Sequence, residues 1–212
     1  MRKWIAHRGN NNHGFCENTK DALLTSLETD YIAGVELDIR KTKDDHLVII
    51  HNPTISWTSD GSGIVKYMTL KELEQYNFGN SKHYQKICTL DVFLKEVKSK
   101  KIIMIEVKDS SLSNLLFQTI QKYSDLNLYI SSFDDQFLKQ FKKKYPKYKV
   151  GLIMGEMINH NKDISSFDFL VTKDIHQKEA KEIFLWGVHQ KDLKEIDSST
   201  YIITDKAYLW KN

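Results

Sequence analysis

The sequence predicts an α/β fold, a (β/α)8 barrel of the TIM type with a small irregular insertion at residues 52 to 88. Apolar runs alternate with helical patterns along most of the chain, which calls for right-handed crossovers between parallel strands. The runs are nearly continuous, as in strands buried on both faces. Once Leu47 to His51 is taken as the return arm of a hairpin, eight runs remain, near residues 4, 36, 104, 129, 152, 169, 185 and 202. Eight such units close a barrel, compact against a typical length of about 250 residues. A doubly wound open sheet is the alternative, and its nucleotide-binding form is weakened because no G-x-G-x-x-G turn follows the first strand.

Composition suits a soluble globular protein, with 41% hydrophobic and 28% charged residues. Two prolines, nine glycines and no low-complexity run leave nothing that resembles a linker, so residues 1–212 are expected to form a single barrel domain. No apolar run reaches membrane-spanning length, and the start Met-Arg-Lys-Trp-Ile-Ala-His turns polar too soon for a signal peptide, so no integral membrane segment and a cytoplasmic location are expected. Cys16 and Cys88 are isolated and expected to be free thiols. A net charge of +3 is far short of a nucleic-acid footprint, and the run Lys142-Lys143-Lys144 reads as a solvated helix end, so no nucleic-acid partner is expected. The oligomeric state is not legible.

Taken in order, Trp4-Ile5-Ala6 is a strand ending in His7-Arg8-Gly9, and Asn18 or Thr19 caps a helix whose apolar face is Ala22, Leu23 and Leu27. Val35 to Thr42 and Leu47 to His51 form the hairpin around the polar turn Lys43 to His46. The insertion holds an Asn-Pro step, a Ser-Asp-Gly-Ser-Gly turn and one short helix from Thr69, whose Thr-Leu-Lys-Glu is a capping box. Thereafter helices are expected at Leu90 to Lys98, around Leu112 to Tyr123, around Asp135 to Tyr145, near Lys178 to Lys181 and near Lys191 to Ile196. Strands are expected at 102–108, 128–133, 150–154, 167–172, 183–188 and 201–205.

In such a barrel, function gathers where the carboxyl ends of the strands converge. Glu36 and Asp38 lie two apart on one strand and so share a face, while Val35, Leu37 and Ile39 point the other way. Glu106 follows four apolar residues and repeats this spacing with Lys108. Carboxylates crowded into one mouth repel unless a cation lies among them, and three of them suffice to hold Ca²⁺ or Mg²⁺. Salt bridges from Glu106 to Lys108 or from Glu36 to Arg8 are the alternative. The hairpin returns His51 close to this acid pair.

His7-Arg8-Gly9, Glu17-Asn18-Thr19, Glu36-x-Asp38 with Thr42-Lys43-Asp44, His51, Thr89-Leu90, Glu106-x-Lys108, Ser131-Ser132-Phe133, Trp186 and Thr204-Asp205 together resemble the glycerophosphodiester phosphodiesterases. The motifs occur in the family's order over nearly the whole chain. The resemblance implies a (β/α)8 barrel whose insertion is the family's small subdomain. It also implies metal-dependent hydrolysis of glycerophosphodiesters, such as glycerophosphocholine or glycerophosphoethanolamine, to glycerol 3-phosphate and an alcohol. On this reading Glu36, Asp38 and Glu106 hold the divalent metal ion, Ca²⁺ or Mg²⁺. His7 and His51 are the catalytic acid and base, while Arg8, Lys108 and Trp186 bind the small-molecule substrate. Three positions depart from the family pattern: Asn52 stands where Asp usually follows the second histidine, Trp57 where Arg is common, and Cys16 where Pro usually precedes Glu-Asn-Thr.

The residues suit the chemistry. A phosphodiester monoanion resists attack until its oxygens are neutralised, a nucleophile is activated and the leaving alkoxide is protonated. Two alternatives are carried forward. One is lysophospholipase D-type cleavage, with Trp57, Tyr67, Tyr76 and Phe78 around an acyl chain; the other is a catalytically idle barrel that binds phosphodiesters.

Overall fold

The protein is described by a computed structural model covering residues 2–10, 12–155, 164–177 and 180–210. Eight parallel strands close on themselves: β1 (Lys3–Ala6), β2 (Ile32–Lys41), β4 (Ile102–Val107), β5 (Leu128–Ser132), β6 (Lys149–Ile153), β7 (Phe169–Thr172), β8 (Ile183–Trp186) and β9 (Tyr201–Thr204). Closure comes from β1, which pairs with β9 through Ala6 and Thr204 and with β2 through Ala6 and Val35. The remaining strand, β3 (Leu47–Ile49), runs antiparallel to the outer part of β2, so the hairpin lies outside the count of eight.

Alternation along the strands sorts side chains into two cores. Val35, Leu37 and Ile39 of β2 face outward into the layer shared with the helices α1 (Lys20–Glu28), α3 (Leu90–Glu96), α4 (Ser113–Ile120) and α5 (Asp135–Lys144). Inside the barrel pack Ile5, Met104, Tyr129, Ile153, Phe169, Val171, Phe184 and Ile203. Gly151 makes room for this filling, since a Cβ there would stand 2.1 Å from the Phe169 ring. At the base of the barrel, Tyr129 donates to Glu182 at 2.9 Å, and the Lys149 ammonium reaches both the Tyr129 hydroxyl, at 2.6 Å, and the Glu182 carboxylate.

Helix starts follow their caps. The Thr19 hydroxyl accepts from the Ala22 amide, Thr89 from Val92 and Asp134 from Phe137. In the insertion, α2 (Leu70–Leu73) carries both bonds of the capping box between Thr69 and Glu72. A third core, of Val48, Ile50, Ile55, Val65, Leu73, Phe78 and Ile87, fastens the insertion to the hairpin. Phe78 is buried there and Tyr76 packs against it, so neither is left to line an acyl chain; Trp57 and Tyr67 are 80% and 65% exposed.

Several boundaries differ from expectation. Strand β3 ends at Ile49 with one more backbone bond, from the Ile50 amide to the Asp38 carbonyl at 2.9 Å, and His51 lies beyond it, its carbonyl accepting from Arg40 Nε at 2.8 Å before Pro53. Helix α3 ends at Glu96, where Val97 turns extended. In place of a helix at Lys191 to Ile196 there is a short 3-10 turn, Gln190–Lys194. Of the helix expected near Lys178 to Lys181, Lys178 and Glu179 lie outside the described residues, and Lys181 is in a bend that leads into β8. Cys16 and Cys88 are free thiols. No helix among the described residues is long and apolar enough to cross a membrane.

Candidate active site

The carboxyl ends of the strands enclose a cavity of about 130 Å³. His7, Arg8, Glu36, His51, Glu106, Lys108 and Trp186 all line it, and Asp38 is buried with 1% exposure at its edge. All eight site residues read from the sequence therefore gather at one place. They arrive from β1, β2, β4 and β8 and from the turn after β3.

The β1 end delivers two of them by a sharp turn. Arg8 adopts φ +53°, in the left-handed region that side chains other than glycine rarely enter, and Gly9 follows at φ +74°. A Cβ on Gly9 would lie 2.8 Å from the Leu23 amide of α1, so the turn is pressed against that helix. The result aims the Arg8 amide at Glu36 Oε2, 3.0 Å away. The Arg8 side chain bonds Glu17 Oε1 at 2.8 Å and passes 3.5 Å from Asp38 Oδ2. Asn18, also left-handed at φ +55°, donates its amide to Asp38 Oδ2 at 2.8 Å and accepts the Asp38 amide at 3.3 Å.

Glu36, Asp38 and Glu106 bring one oxygen each within 4.8 Å of one another. Of the two salt bridges expected as the alternative, Glu106 to Lys108 is present and Glu36 to Arg8 is not. Lys108 bonds Glu106 and stands 2.9 Å from Asp38 Oδ1 in an ion pair, while Glu36 receives only the Arg8 amide. Glu36 Oε1 is buried without a hydrogen bond. Burial and the adjacent Asp38 charge push the Glu36 carboxyl up to about 8. Burial also raises Glu106, with the Asp38 charge adding to it against Lys108. For Asp38, burial is outweighed by Lys108 and Asn18, which hold it below the usual carboxylate range. A hard divalent cation fits this donor set: it would satisfy the orphaned Glu36 oxygen and relieve the like-charge repulsion.

The two histidines stand in opposite settings. His7 Nδ1 lies 3.0 Å from Asp205 Oδ1, and its Nε2 is 4.0 Å from Glu36 Oε2. Burial alone would lower His7, but the bond to Asp205 and the Glu36 and Asp205 charges outweigh it and raise the imidazole above its ordinary value. His51 Nδ1 donates to Asn52 Oδ1 at 2.7 Å, which leaves Nε2 with the lone pair. Burial lowers His51, and the Lys108 and Arg8 charges oppose the upward pull of Asn52 and Asp38. Asp205 and Glu17, which the sequence showed only as parts of motifs, neighbour the site, and so does Asn18, a candidate helix cap on the sequence where Thr19 is the cap in the structure. Trp186 closes one wall, with Lys173 Nζ 4.4 Å above its ring.

The family model of the glycerophosphoryl diester phosphodiesterases matches residues 7–198, a span that contains this whole cluster except Asp205. The chain belongs to that family. It is 34% identical over 160 residues to a glycerophosphodiester phosphodiesterase of Caldanaerobacter subterraneus subsp. tengcongensis, a match covering 70% of this chain and 65% of that relative. A second match, 28% identical over 171 residues, is to the glycerophosphodiester phosphodiesterase of Bacillus altitudinis and covers 75% of this chain and 69% of that one. The chain thus spans about two thirds of the length of these curated family members. Among solved structures, a phosphodiesterase from Oleispira antarctica in complex with the product sn-glycerol-3-phosphate superposes with a TM-score of 0.85 at 21% identity, covering 100% and 96% of the two chains. A family member from Thermotoga maritima superposes at 0.77 with 25% identity, covering 100% and 97%.

Proposed function

We propose that this chain hydrolyses glycerophosphodiesters, such as glycerophosphocholine or glycerophosphoethanolamine, to glycerol 3-phosphate and an alcohol, with a divalent metal ion, Ca²⁺ or Mg²⁺, held by Glu36, Asp38 and Glu106. The observation that carries this reading is the buried, undercompensated carboxylate cluster flanked by two histidines in a chain of this family. A cation held there would supply neutralisation of the phosphate oxygens. Arg8 and Lys108 add charge-assisted hydrogen bonds to the same anion, and Glu17 and Asn18 hold Arg8 and Asp38 in place for it.

His7 and His51 are the proton carriers. They are not interchangeable, because one imidazole faces a carboxylate and the other a neutral amide oxygen. Trp186 is an apolar wall for the glycerol or the alcohol. The active unit is one barrel domain over residues 1–212, with 52 to 88 as its small subdomain beside the mouth. The acyl-chain alternative loses Tyr76 and Phe78 to the insertion core.

The deciding assay incubates purified protein with glycerophosphocholine and glycerophosphoethanolamine, adds metals singly after exhaustive chelation, and detects glycerol 3-phosphate. Product with one divalent metal and none in chelator is expected. No product with any metal would favour the idle barrel, and full turnover in chelator would remove the metal.

A further inference from the structure

The cavity of about 130 Å³ is small beside ligand pockets of roughly 300–1,000 Å³. A substrate larger than glycerol phosphate must therefore extend out of it. A groove of about 470 Å³ adjoins the cavity through Glu106, Lys108 and Phe133, which line both. The groove runs between the β4 and β5 ends and the insertion, where Pro53 and Ile64 form its apolar side.

Arg40 lies in this groove. It continues the spacing of Glu36 and Asp38 along β2, four residues and then two beyond them on the same face. Its Nε is spent on the His51 carbonyl at 2.8 Å, which fixes the plane of the guanidinium and leaves the two terminal amino groups. Asp38, Glu106 and Asp109 attract Arg40 only through space: Asp38 pairs with Lys108 and Arg8 and Glu106 with Lys108, while Asp109 and Asp134 accept the Ser111 and Phe137 amides. Arg40 has no ion pair among the described residues; of the other cations lining the groove, Lys41 pairs with Asp45 and Lys108 with Asp38 and Glu106, and Lys66 adds a further positive charge. Phe133 is the one aromatic ring among the lining residues, whereas recognition of a quaternary ammonium calls for a cage of several. A half-buried guanidinium held in one plane is suited to bidentate recognition of an oxyanion.

We propose that Arg40 determines specificity for the leaving alcohol by binding an oxyanion on it, so that the substrates turned over best are glycerophosphodiesters whose alcohol carries its own phosphate or carboxylate. This rests on the phosphodiesterase reading above. The test compares kcat/KM for four diesters, whose alcohols are choline, glycerol, glycerol bearing a phosphate monoester, and glyceric acid bearing its carboxylate.

Because Arg40 also holds the His51 carbonyl, the readout is the ratio of each anionic diester to the neutral glycerol diester, which a general loss of turnover does not move. In the wild-type chain at least one anionic diester should exceed the neutral one, and Arg40→Gln should lower that ratio about 10- to 100-fold. Arg40→Lys, which keeps the charge and loses the fork, should lower it less, and carries the test if Arg40→Gln does not fold. Equal or better turnover of the choline diester, or a ratio unchanged in both variants, overturns the proposal. If no diester is turned over at all, the phosphodiesterase reading itself fails. Arg40 is then judged by the rise in Tm that each anionic diester produces beyond the glycerol diester. A larger rise that Arg40→Gln abolishes supports anion binding, and equal rises overturn it.

Discussion

The two ends of the barrel both carry charge, and they handle it differently. At the base, the partly exposed Lys149 and Glu182 neutralise each other around the hydroxyl of the buried Tyr129, all three mutually bonded. At the mouth, three buried or half-buried carboxylates face Lys108 and Arg8, and the imbalance leaves Glu36 with an orphaned oxygen and a carboxyl pushed up to about 8. A pair that satisfies itself closes a fold and asks for nothing further. A cluster that cannot is costly unless a ligand completes it, and that is the physical mark of a site.

The sharpest test of this contrast substitutes a carboxylate at each end. Glu36→Ala, Asp38→Ala or Glu106→Ala should each reduce turnover to background. The fold should persist best in Glu36→Ala, which relieves repulsion, and lose stability in Asp38→Ala, which takes the acceptor from Lys108, Arg8 and Asn18. Circular dichroism beside the activity assay checks both halves, and a variant with wild-type turnover would remove that residue from the metal set. At the base, Glu182→Gln should leave turnover unchanged and cost only about 0–1 kcal/mol, as for a partly exposed ion pair.

His7→Ala and His51→Ala should each lower kcat by about 10²–10⁴ with little change in KM, because proton transfer is lost while substrate contacts remain. Steady-state kinetics decide this. Wild-type kcat in either variant would strip that histidine of its role.

The imbalance at the mouth also predicts a pH signature in the metal-free chain. A carboxyl whose folded value is raised from 4.5 to about 8 holds a proton that the unfolded chain has released. Stability from this group is therefore present below about 4.5 and declines as pH rises toward about 8. Tm should fall across that window without metal, a divalent cation should restore it increasingly toward the upper end, and Glu36→Gln should flatten the slope. A metal-free Tm that rises through the window would contradict the undercompensated cluster.

Smaller shifts separate the two histidines. Asp205→Asn removes the charge beside His7, so the His7 imidazole should titrate at lower pH than in the wild-type chain. Asn52→Asp adds a charge beside His51, so that imidazole should titrate higher, with activity preserved and its pH dependence displaced. Imidazole resonances followed by NMR measure both. Unmoved titrations would show that positions 205 and 52 do not couple to the rings beside them.

The sequence by itself determined what depends on neighbours along the chain. Near-continuous apolar runs alternating with capped helices specify eight parallel strands, and the i, i+2 spacing puts Glu36 with Asp38, and Glu106 with Lys108, on the inner face. The Thr69 capping box appears as read, because four consecutive residues contain both of its bonds. Only the tertiary structure decided the contacts that closure creates. Asp205 reaches His7 across 198 positions because β9 pairs with β1. Asn18 grips Asp38 because Gly9 presses its turn against α1, and Lys108 spans two strands to meet both Asp38 and Glu106. Arg40 reads locally as a polar residue leaving a strand, and becomes a fixed cation in a groove once His51 folds back onto its Nε. Periodicity records which face a side chain occupies; which partner it meets there is set by closure of the barrel, and that depends on the packing of every strand at once.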